Sequence, residues 1–183
     1  MGEMLVVPSR LDFPETFKRL GYTTGAEIGV AEGDFSIELV KAGGWLYLVD
    51  AWKHIGELDD VNNPSDQQQD ERLQRVRDRF KQFPNVMILR GLSVEMAGNF
   101  HDEALDWVYL DADHREQSVL EDLKAWYPKV RVGGMLCGHD YFNSPGWEGH
   151  HGVKAAVDSF FTGREIGLTS EFQHEHSWFV IKE

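Results

Sequence analysis

Acidic and imidazole side chains follow two apolar segments of the sequence, at the point where each segment ends. Asp111, Asp113 and His114 come after the first of these segments, and His139 and Asp140 come after the second. If both segments are parallel strands of one sheet, their carboxyl ends meet at one edge, so these five side chains should converge. Carboxylates and imidazoles gathered at such an edge bind a divalent cation or transfer protons. His114 and His139 are the candidate general bases, because an imidazole titrates near neutral pH.

Simpler explanations stay open for several residues of this group. Asp111 could line a cofactor pocket without binding a metal, and Asp113 is better explained as a cap of the helix that follows it. His150 and His151 lie in a loop that should border the same edge, although a solvated surface position explains them better.

A second chemical signal lies in residues 25–50, whose pattern is typical of a strand, a glycine loop, a helix and a second strand. Gly29 and Gly33 flank the loop, and Asp50 closes the second strand, where an acid can hold the two hydroxyls of a ribose. A glycine turn that opens a helix presents bare backbone N–H groups and the positive end of the helix to a ligand. Trp52, in the loop that follows, could stack on adenine or on an aromatic acceptor. The stretch predicts a nucleoside-cofactor site.

The residues of the glycine loop argue against a dinucleotide. The fingerprint G-x-G-x-x-G lacks its middle glycine, because Ala31 stands there. Glu27 and Glu32 would repel a pyrophosphate at close range, whereas S-adenosylmethionine (SAM) has no phosphate and carries a sulfonium and an ammonium. SAM is therefore the predicted cofactor, and an ordinary strand–turn–helix without a ligand is the alternative.

The overall composition limits the classes of partner. The chain has 183 residues, of which 42% are hydrophobic and 12% aromatic, and this suits one domain with a sizeable core. Its formal charge of −13 argues against a nucleic acid or an anionic membrane as the main partner. A single cysteine, no signal-peptide pattern and no apolar run that could span a bilayer predict a cytoplasmic protein. A homodimer would suit a small domain with exposed tryptophans.

Strands and helices alternate along the chain. An N-terminal lead-in and helix occupy residues 1–22, and Ser65 with Gln68 forms a capping-box pattern that starts a helix over 66–83. Strands are predicted at 26–30, 45–49, 85–89, 105–110, 133–137, 168–172 and 178–181. The pattern predicts an α/β fold in one domain, residues 1–183, with a doubly wound, Rossmann-like, seven-stranded and mostly parallel sheet. Its C-terminal strand should be antiparallel, and helices should cover both faces.

A set of short motifs makes the sequence resemble a known family. The run LDWVYLDADH ends at His114, Asp122-Leu-Lys-Ala-Trp126 follows it, Gly133-Gly134 precedes GHDY, and GVKAAVD begins at Gly152. Together with the E-x-G-x-x-x-G pattern of the glycine loop, these motifs resemble the type 24 methyltransferases. That family is a branch of the class I SAM-dependent enzymes related to the metal-dependent O-methyltransferases. The similarity covers residues 24–183.

The resemblance implies roles for individual residues. In the metal-dependent relatives, the ion is held by an aspartate after the fourth strand and a pair after the fifth, which correspond to Asp111, His139 and Asp140. The relatives usually have an acidic or Asp-Asn pair, and the imidazole of His139 favours Mn, Fe or Zn over Mg. Ser93 matches the position that contacts adenine, although a helix N-cap explains it equally well. The candidate cofactor-binding residues are Glu27, Gly29, Val30, Gly33, Asp50, Ala51, Trp52, Ser93 and Asp111.

The predicted function is methyl transfer from SAM to a small-molecule acceptor, with oxygen as the favoured atom and a divalent metal (Mg, Mn or Zn) as an option. Three other functions stay open: an NAD-dependent oxidoreductase, a non-catalytic SAM-binding module, and a metal-dependent hydrolase or hydroxylase. The predicted rim loops, 51–66 and 141–152, have no pattern that indicates the acceptor.

Overall fold

The structure, a computed structural model, describes residues 5–56, 63–141, 152–170 and 176–183. Its strands are β1 (Thr24–Ile28), β2 (Trp45–Asp50), β3 (Val86–Arg90), β4 (Leu105–Leu110), β5 (Val130–Gly138), β6 (Gly167–Leu168) and β7 (Trp178–Ile181). They form one seven-stranded sheet in the order β3-β2-β1-β4-β5-β7-β6. The first five strands pair in parallel, whereas β7 is antiparallel to both β5 and β6. The predicted sheet and its antiparallel C-terminal strand are confirmed.

Helices cover both faces of this sheet. Within the described ranges they are α1 (Phe13–Arg19), α2 (Ser36–Leu39), α3 (Asp66–Phe80), α4 (Ser93–Ala97), α5 (Glu116–Trp126) and α6 (Val153–Phe160). At the start of α3, the N–H of Ser65 donates to Gln68 Oε1 at 3.2 Å, so the predicted capping box is present. No helix among the described residues is both long and apolar enough to cross a bilayer.

Two hydrophobic cores form because side chains alternate along each strand. In β4, Trp107 and Tyr109 belong to the core under α1, α2 and α3, whereas Val108 and Leu110 belong to the core under α4, α5 and α6. A strand buried on both faces is typical of the centre of a parallel sheet. This explains why the sequence of β4 is an almost continuous apolar run. Its carboxyl end, like those of β1, β2 and β5, opens at one edge of the sheet.

The structure differs from the predicted elements at three places. Strand β5 starts at Val130, three residues earlier than predicted, because a register shift between Leu105 and Trp107 accommodates the extra residues before Met135. Helix α2 is one turn long and continues as a 3-10 turn over Val40–Ala42. Strand β6 has two residues, and part of its predicted span lies outside the described residues.

Candidate active site

A cleft of about 740 Å³ opens at the carboxyl edge of the sheet, beside the loops that follow β1, β2 and β4. Most of the predicted cofactor-binding residues line it: Glu27, Gly29, Val30, Asp50, Ala51, Ser93 and Asp111. Gly33 does not line the cleft. Its φ of +76° and its hydrogen bond to the carbonyl of Val30 shape the turn of the glycine loop instead.

The backbone amides of the glycine loop are used within the protein. Val30 and Ala31 donate their N–H groups to Asp50 Oδ2 at 2.8 and 2.9 Å, and Gly29 donates to the carbonyl of Val49. Helix α2, one turn long, adds only a small dipole. The prediction that this loop presents bare N–H groups to a ligand is therefore wrong. A pyrophosphate would find few donors here, and this favours a nucleoside without phosphate.

Asp50 ties the loops after β1 and β2 together. Besides the two amides of the glycine loop, it accepts the N–H of Trp52 at Oδ1, at 2.8 Å. An ionised carboxylate offers about four lone-pair positions, so about one remains for a ligand. Asp50 lines the cleft at the end of β2, and its role in holding a ribose stays a prediction.

Glu27 places a carboxyl group in the wall of the cleft. The residue is 1% exposed, and the hydroxyl of Ser36 donates a hydrogen bond to it. Burial raises the pKa of Glu27 to about 8, although the hydrogen bond from Ser36 and the charge of Arg10 act in the opposite direction. A cationic ligand atom would stabilise the ionised form that burial disfavours. The position therefore fits the ammonium or sulfonium of SAM.

Glu32, the other carboxylate of the glycine loop, is compensated by helix α3. It accepts hydrogen bonds from Arg75 at 2.9 and 3.0 Å and pairs with Arg72 at 3.0 Å. The hydrogen bonds from Arg75 lower the pKa of Glu32, and nearby charge from both arginines adds to this. Repulsion of a pyrophosphate by Glu32 is therefore a weaker argument than the sequence indicates. Its observed role is to fasten the glycine loop to α3.

Trp52 is not a stacking residue. It is fully buried in the hydrophobic core and does not line the cleft. Its indole N–H donates to the carbonyl of Ala31 at 3.0 Å, so it supports the glycine loop from behind. An aromatic residue in a loop after a strand can lie either at the rim of a cleft or in the hydrophobic core, and the sequence pattern does not distinguish these two positions. His150 and His151, the candidates in the loop that should border this edge, lie outside the described residues.

Four of the five side chains that were predicted to meet after β4 and β5 do converge. His114 Nε2 lies 3.1 Å from Asp140 Oδ2 and 3.4 Å from Asp111 Oδ1, and His139 Nδ1 lies 3.1 Å from Asp140 Oδ1. One potential ligand atom from each of Asp111, His139 and Asp140 lies within 4.8 Å of the others. Two carboxylates and one imidazole are a suitable donor set for a divalent cation. Their role in binding one stays a prediction.

Asp113 does not join this cluster. It accepts the N–H of Arg115 at 3.0 Å and the hydroxyl of Ser118 at 2.8 Å. Its carboxylate therefore organises the start of α5, in line with the capping interpretation, although Arg115 is the residue at the N-cap position.

Arg10, which the sequence did not single out, reaches the same cluster from the N-terminal segment. Its guanidinium lies 2.5 Å from Asp111 Oδ2 and 4.0 Å above the ring centre of Phe35. Burial alone would raise the pKa of Asp111, but the hydrogen bond from His114 and the charges of Arg10 and His139 lower it to about 2. The cleft therefore holds an ionised aspartate with a built-in cation beside it.

Solved structures share this fold. A protein from Staphylococcus aureus described as a caffeoyl-CoA O-methyltransferase has a TM-score of 0.68 at 12% identity, covering 96% of this chain and 84% of that one. The O-methyltransferase from Bacillus cereus, solved with SAH, has a TM-score of 0.67 at 15% identity, with 94% and 80% covered. The N-methyltransferase NodS from Bradyrhizobium japonicum has a TM-score of 0.61 at 13% identity, with 93% and 92% covered. These structures share the fold of this chain, a seven-stranded, mostly parallel sheet with helices on both faces.

The family follows from the sequence. Residues 26–141 match the model of a type 24 family described as a methyltransferase domain, whereas no curated protein sequence matches. The matched segment is more than half of the chain, so the protein belongs to this family of SAM-dependent methyltransferases. The resemblance is confirmed, and an oxidoreductase is not favoured.

Proposed function

We propose that the protein methylates an oxygen atom of a small hydroxylated molecule beside Asp111, His114, His139 and Asp140. The observation that carries this proposal is the convergence of these side chains next to a cleft that fits SAM. When bound, SAM supplies a methyl group on a positively charged sulfur. The protein would align the acceptor oxygen with that methyl group and take the acceptor's proton.

In this proposal, Asp111, His139 and Asp140 would hold a divalent cation. An imidazole among the donors suits Mn, Fe or Zn better than Mg. Such an ion orients a hydroxyl group and lowers its pKa. Arg10 binds Asp111 through Oδ2, so an ion would use Asp111 Oδ1, the oxygen that His114 Nε2 also faces at 3.4 Å.

His114 is then the proposed general base. Its Nε2 faces one oxygen of Asp111 and one of Asp140, at 3.4 and 3.1 Å, and carries the hydrogen that it donates to them, so the lone pair that takes the proton is on Nδ1. Two carboxylates at this range stabilise the positive charge that the imidazole gains.

A metal-free form of the same reaction is supported by two other contacts. Arg10 already compensates the charge of Asp111, and His139 Nδ1 lies 3.1 Å from Asp140 Oδ1. An imidazole whose Nδ1–H donates to a carboxylate keeps its lone pair on Nε2, which is the tautomer of a general base. In this form, His139 would take the proton.

Methyl transfer by chelator-treated protein tests both forms. Labelled SAM is offered with phenols and sugar hydroxyls as acceptors, with and without Mn²⁺, Zn²⁺ or Mg²⁺. Metal-dependent turnover that is lost in Asp140→Asn and His114→Gln supports the metal form. Metal-independent turnover that is lost in His139→Gln supports the other form. His101→Gln, which removes an exposed imidazole that does not line the cleft, is the matched control. Unchanged turnover in all three site variants would contradict the proposal.

We also propose a small molecule, rather than a nucleic acid, as the acceptor, because the net charge of −13 opposes binding to phosphate backbones. A cytoplasmic location and a homodimer are further proposals. The single buried cysteine, Cys137, suits a reducing compartment. Sedimentation at several concentrations tests the homodimer.

A further inference from the structure

The cleft extends across the edge of the sheet to its second face. Glu27 alternates with Ala26 and Ile28 along β1, so it lies on the α2 face, where Ser36 contacts it. Ser93 of α4 and Asp122 of α5 line the same cleft from the opposite face. Since Glu27 fits the cationic end of SAM and Asp50 fits its ribose, the α4–α5 side is where the adenine would lie.

Asp122 is a buried carboxyl group held in a directed hydrogen-bond chain. The indole N–H of Trp126 donates to Ser93 Oγ at 2.9 Å, and Ser93 Oγ lies 2.5 Å from Asp122 Oδ1. An indole N–H can only donate, so the hydroxyl hydrogen of Ser93 is directed to Asp122 Oδ1. Asp122 is 6% exposed, and its Oδ2 makes no hydrogen bond to residues 5–56, 63–141, 152–170 or 176–183. One oxygen is thus fixed as an acceptor, and the other is left for a ligand.

The surroundings of Asp122 favour its neutral form. Burial raises its pKa to about 7, the hydrogen bond from Ser93 acts in the opposite direction, and the carboxylates of Asp113 and Glu121 raise it further. The carboxylate of Asp113 forms a salt bridge with Arg115. Glu95 of α4 brings a further carboxylate to the cleft. Among the described residues, no basic side chain binds Asp122.

We propose that Asp122 recognises the 6-amino edge of the cofactor's adenine as a neutral acid. Oδ1 would accept a hydrogen bond from the exocyclic amine, and the O–H at Oδ2 would donate to the neighbouring ring nitrogen. A carboxylic acid offers one acceptor and one donor side by side, and this complements the donor and acceptor of adenine. Hypoxanthine has the reverse pattern, so Asp122 would discriminate against it. The inference rests on the SAM-dependent function.

Binding of 5′-deoxy-5′-methylthioadenosine and its hypoxanthine counterpart to the wild-type protein tests this role. These probes lack the amino acid part of SAM, so Glu27 contributes little to their pH dependence. Calorimetry from pH 6 to 9 should show the adenine affinity falling about tenfold per pH unit above pH 7. At pH 6 the hypoxanthine probe should bind at least about tenfold more weakly. Equal affinities for the two bases, or a flat pH profile, would overturn the inference.

Two substitutions separate recognition from a structural role. Asp122→Asn has the donor and acceptor of the neutral acid, so it should bind the adenine probe as well at pH 9 as at pH 6. Asp122→Ala should lose about tenfold at pH 6. Glu116→Gln, which removes an exposed carboxylate of the same helix that does not line the cleft, is the control and should keep the wild-type pH profile. An alanine variant that binds like the wild type would refute the role. If both variants of Asp122 fail to fold, the wild-type probe comparison still decides.

The same measurements separate a failure of this inference from a failure of the SAM-dependent function on which it rests. S-adenosylhomocysteine that binds at every pH, with no discrimination between the bases, would refute only the role of Asp122. No binding of S-adenosylhomocysteine at any pH would refute the SAM-dependent function as well.

Discussion

Replacing Glu27 with glutamine should stabilise the ligand-free protein and make it less sensitive to pH. Glu27 is 1% exposed, and burial raises its pKa from 4.5 to about 8. Between these two values, the unfolded chain has released the proton that the folded protein keeps. The free energy of unfolding therefore falls by about 1.4 kcal/mol per pH unit in this window. The contribution of the Glu27 proton to the stability is fully retained below pH 4.5 and is lost as the pH rises to about 8.

The magnitude can be tested by difference. From pH 5.5 to pH 8.5, the stability of the wild type relative to Glu27→Gln should fall by about 3 kcal/mol. Urea unfolding followed by tryptophan fluorescence measures this, because the chain has six tryptophans. Glutamine keeps the oxygen that accepts the hydrogen bond from Ser36, so the difference isolates the proton. Glu71→Gln, an exposed carboxylate on α3, is the matched control and should show no such trend.

The same substitution should weaken SAM binding. An amide cannot compensate the ammonium or sulfonium of SAM, so the Kd should rise by about tenfold or more. Parallel pH profiles for the wild type and Glu27→Gln would refute the reasoning, because they would mean that Glu27 ionises as readily in the folded protein as in the unfolded chain.

Three further substitutions test other contacts of the site. Gly29→Ala would place a methyl group 2.1 Å from the main-chain oxygen of the loop after β4, so thermal unfolding should show a loss above about 2 kcal/mol. The control for this substitution, Gly43→Ala, has a similar φ but open space around it and should lose only about 1 kcal/mol. Trp52→Phe should cost about 1–2 kcal/mol in urea unfolding and weaken SAM binding, because the indole hydrogen bond to the glycine loop is lost. Arg10→Leu should cost about 2–3 kcal/mol, because it leaves a largely buried aspartate without its cation; a stability equal to the wild type would show that this ion pair is not formed in solution.

The strands could be predicted from sequence because their signals are local. Strands such as β4 are short apolar runs that end in polar residues, and parallel pairing then brings those ends to one edge. The convergence of Asp111, His114, His139 and Asp140 follows from that rule alone. The start of β5 was missed because its first residues precede a glycine pair, and a register shift in the pairing with β4 is not visible in one sequence.

The parts of the site that were missed depend on contacts between distant segments. Arg10 reaches Asp111 across 101 positions of the chain, and a single arginine in a polar lead-in carries no signal of this. The burial of Trp52 and the pairing of Glu32 with α3 are likewise products of tertiary packing. Asp122 was noted only as part of a family motif, because its role depends on what α4 places against it.

Because Arg10 contacts Asp111, cleavage of the chain at Arg10 can show whether the N-terminal segment is bound at the site or detached from it. The carbonyl of Pro8 accepts both the N–H and the hydroxyl of Ser170, at 3.0 and 3.1 Å, so this segment is also fastened beside the C-terminal strands. Trypsin cleaves after arginine only when the surrounding backbone can be drawn into its own active site. The bond between Arg10 and Leu11 should therefore be cut only after the segment detaches, and the rate of that cut measures how often it detaches. Mass spectrometry of limited digests would thus follow the opening of the cleft without a methyl acceptor in hand.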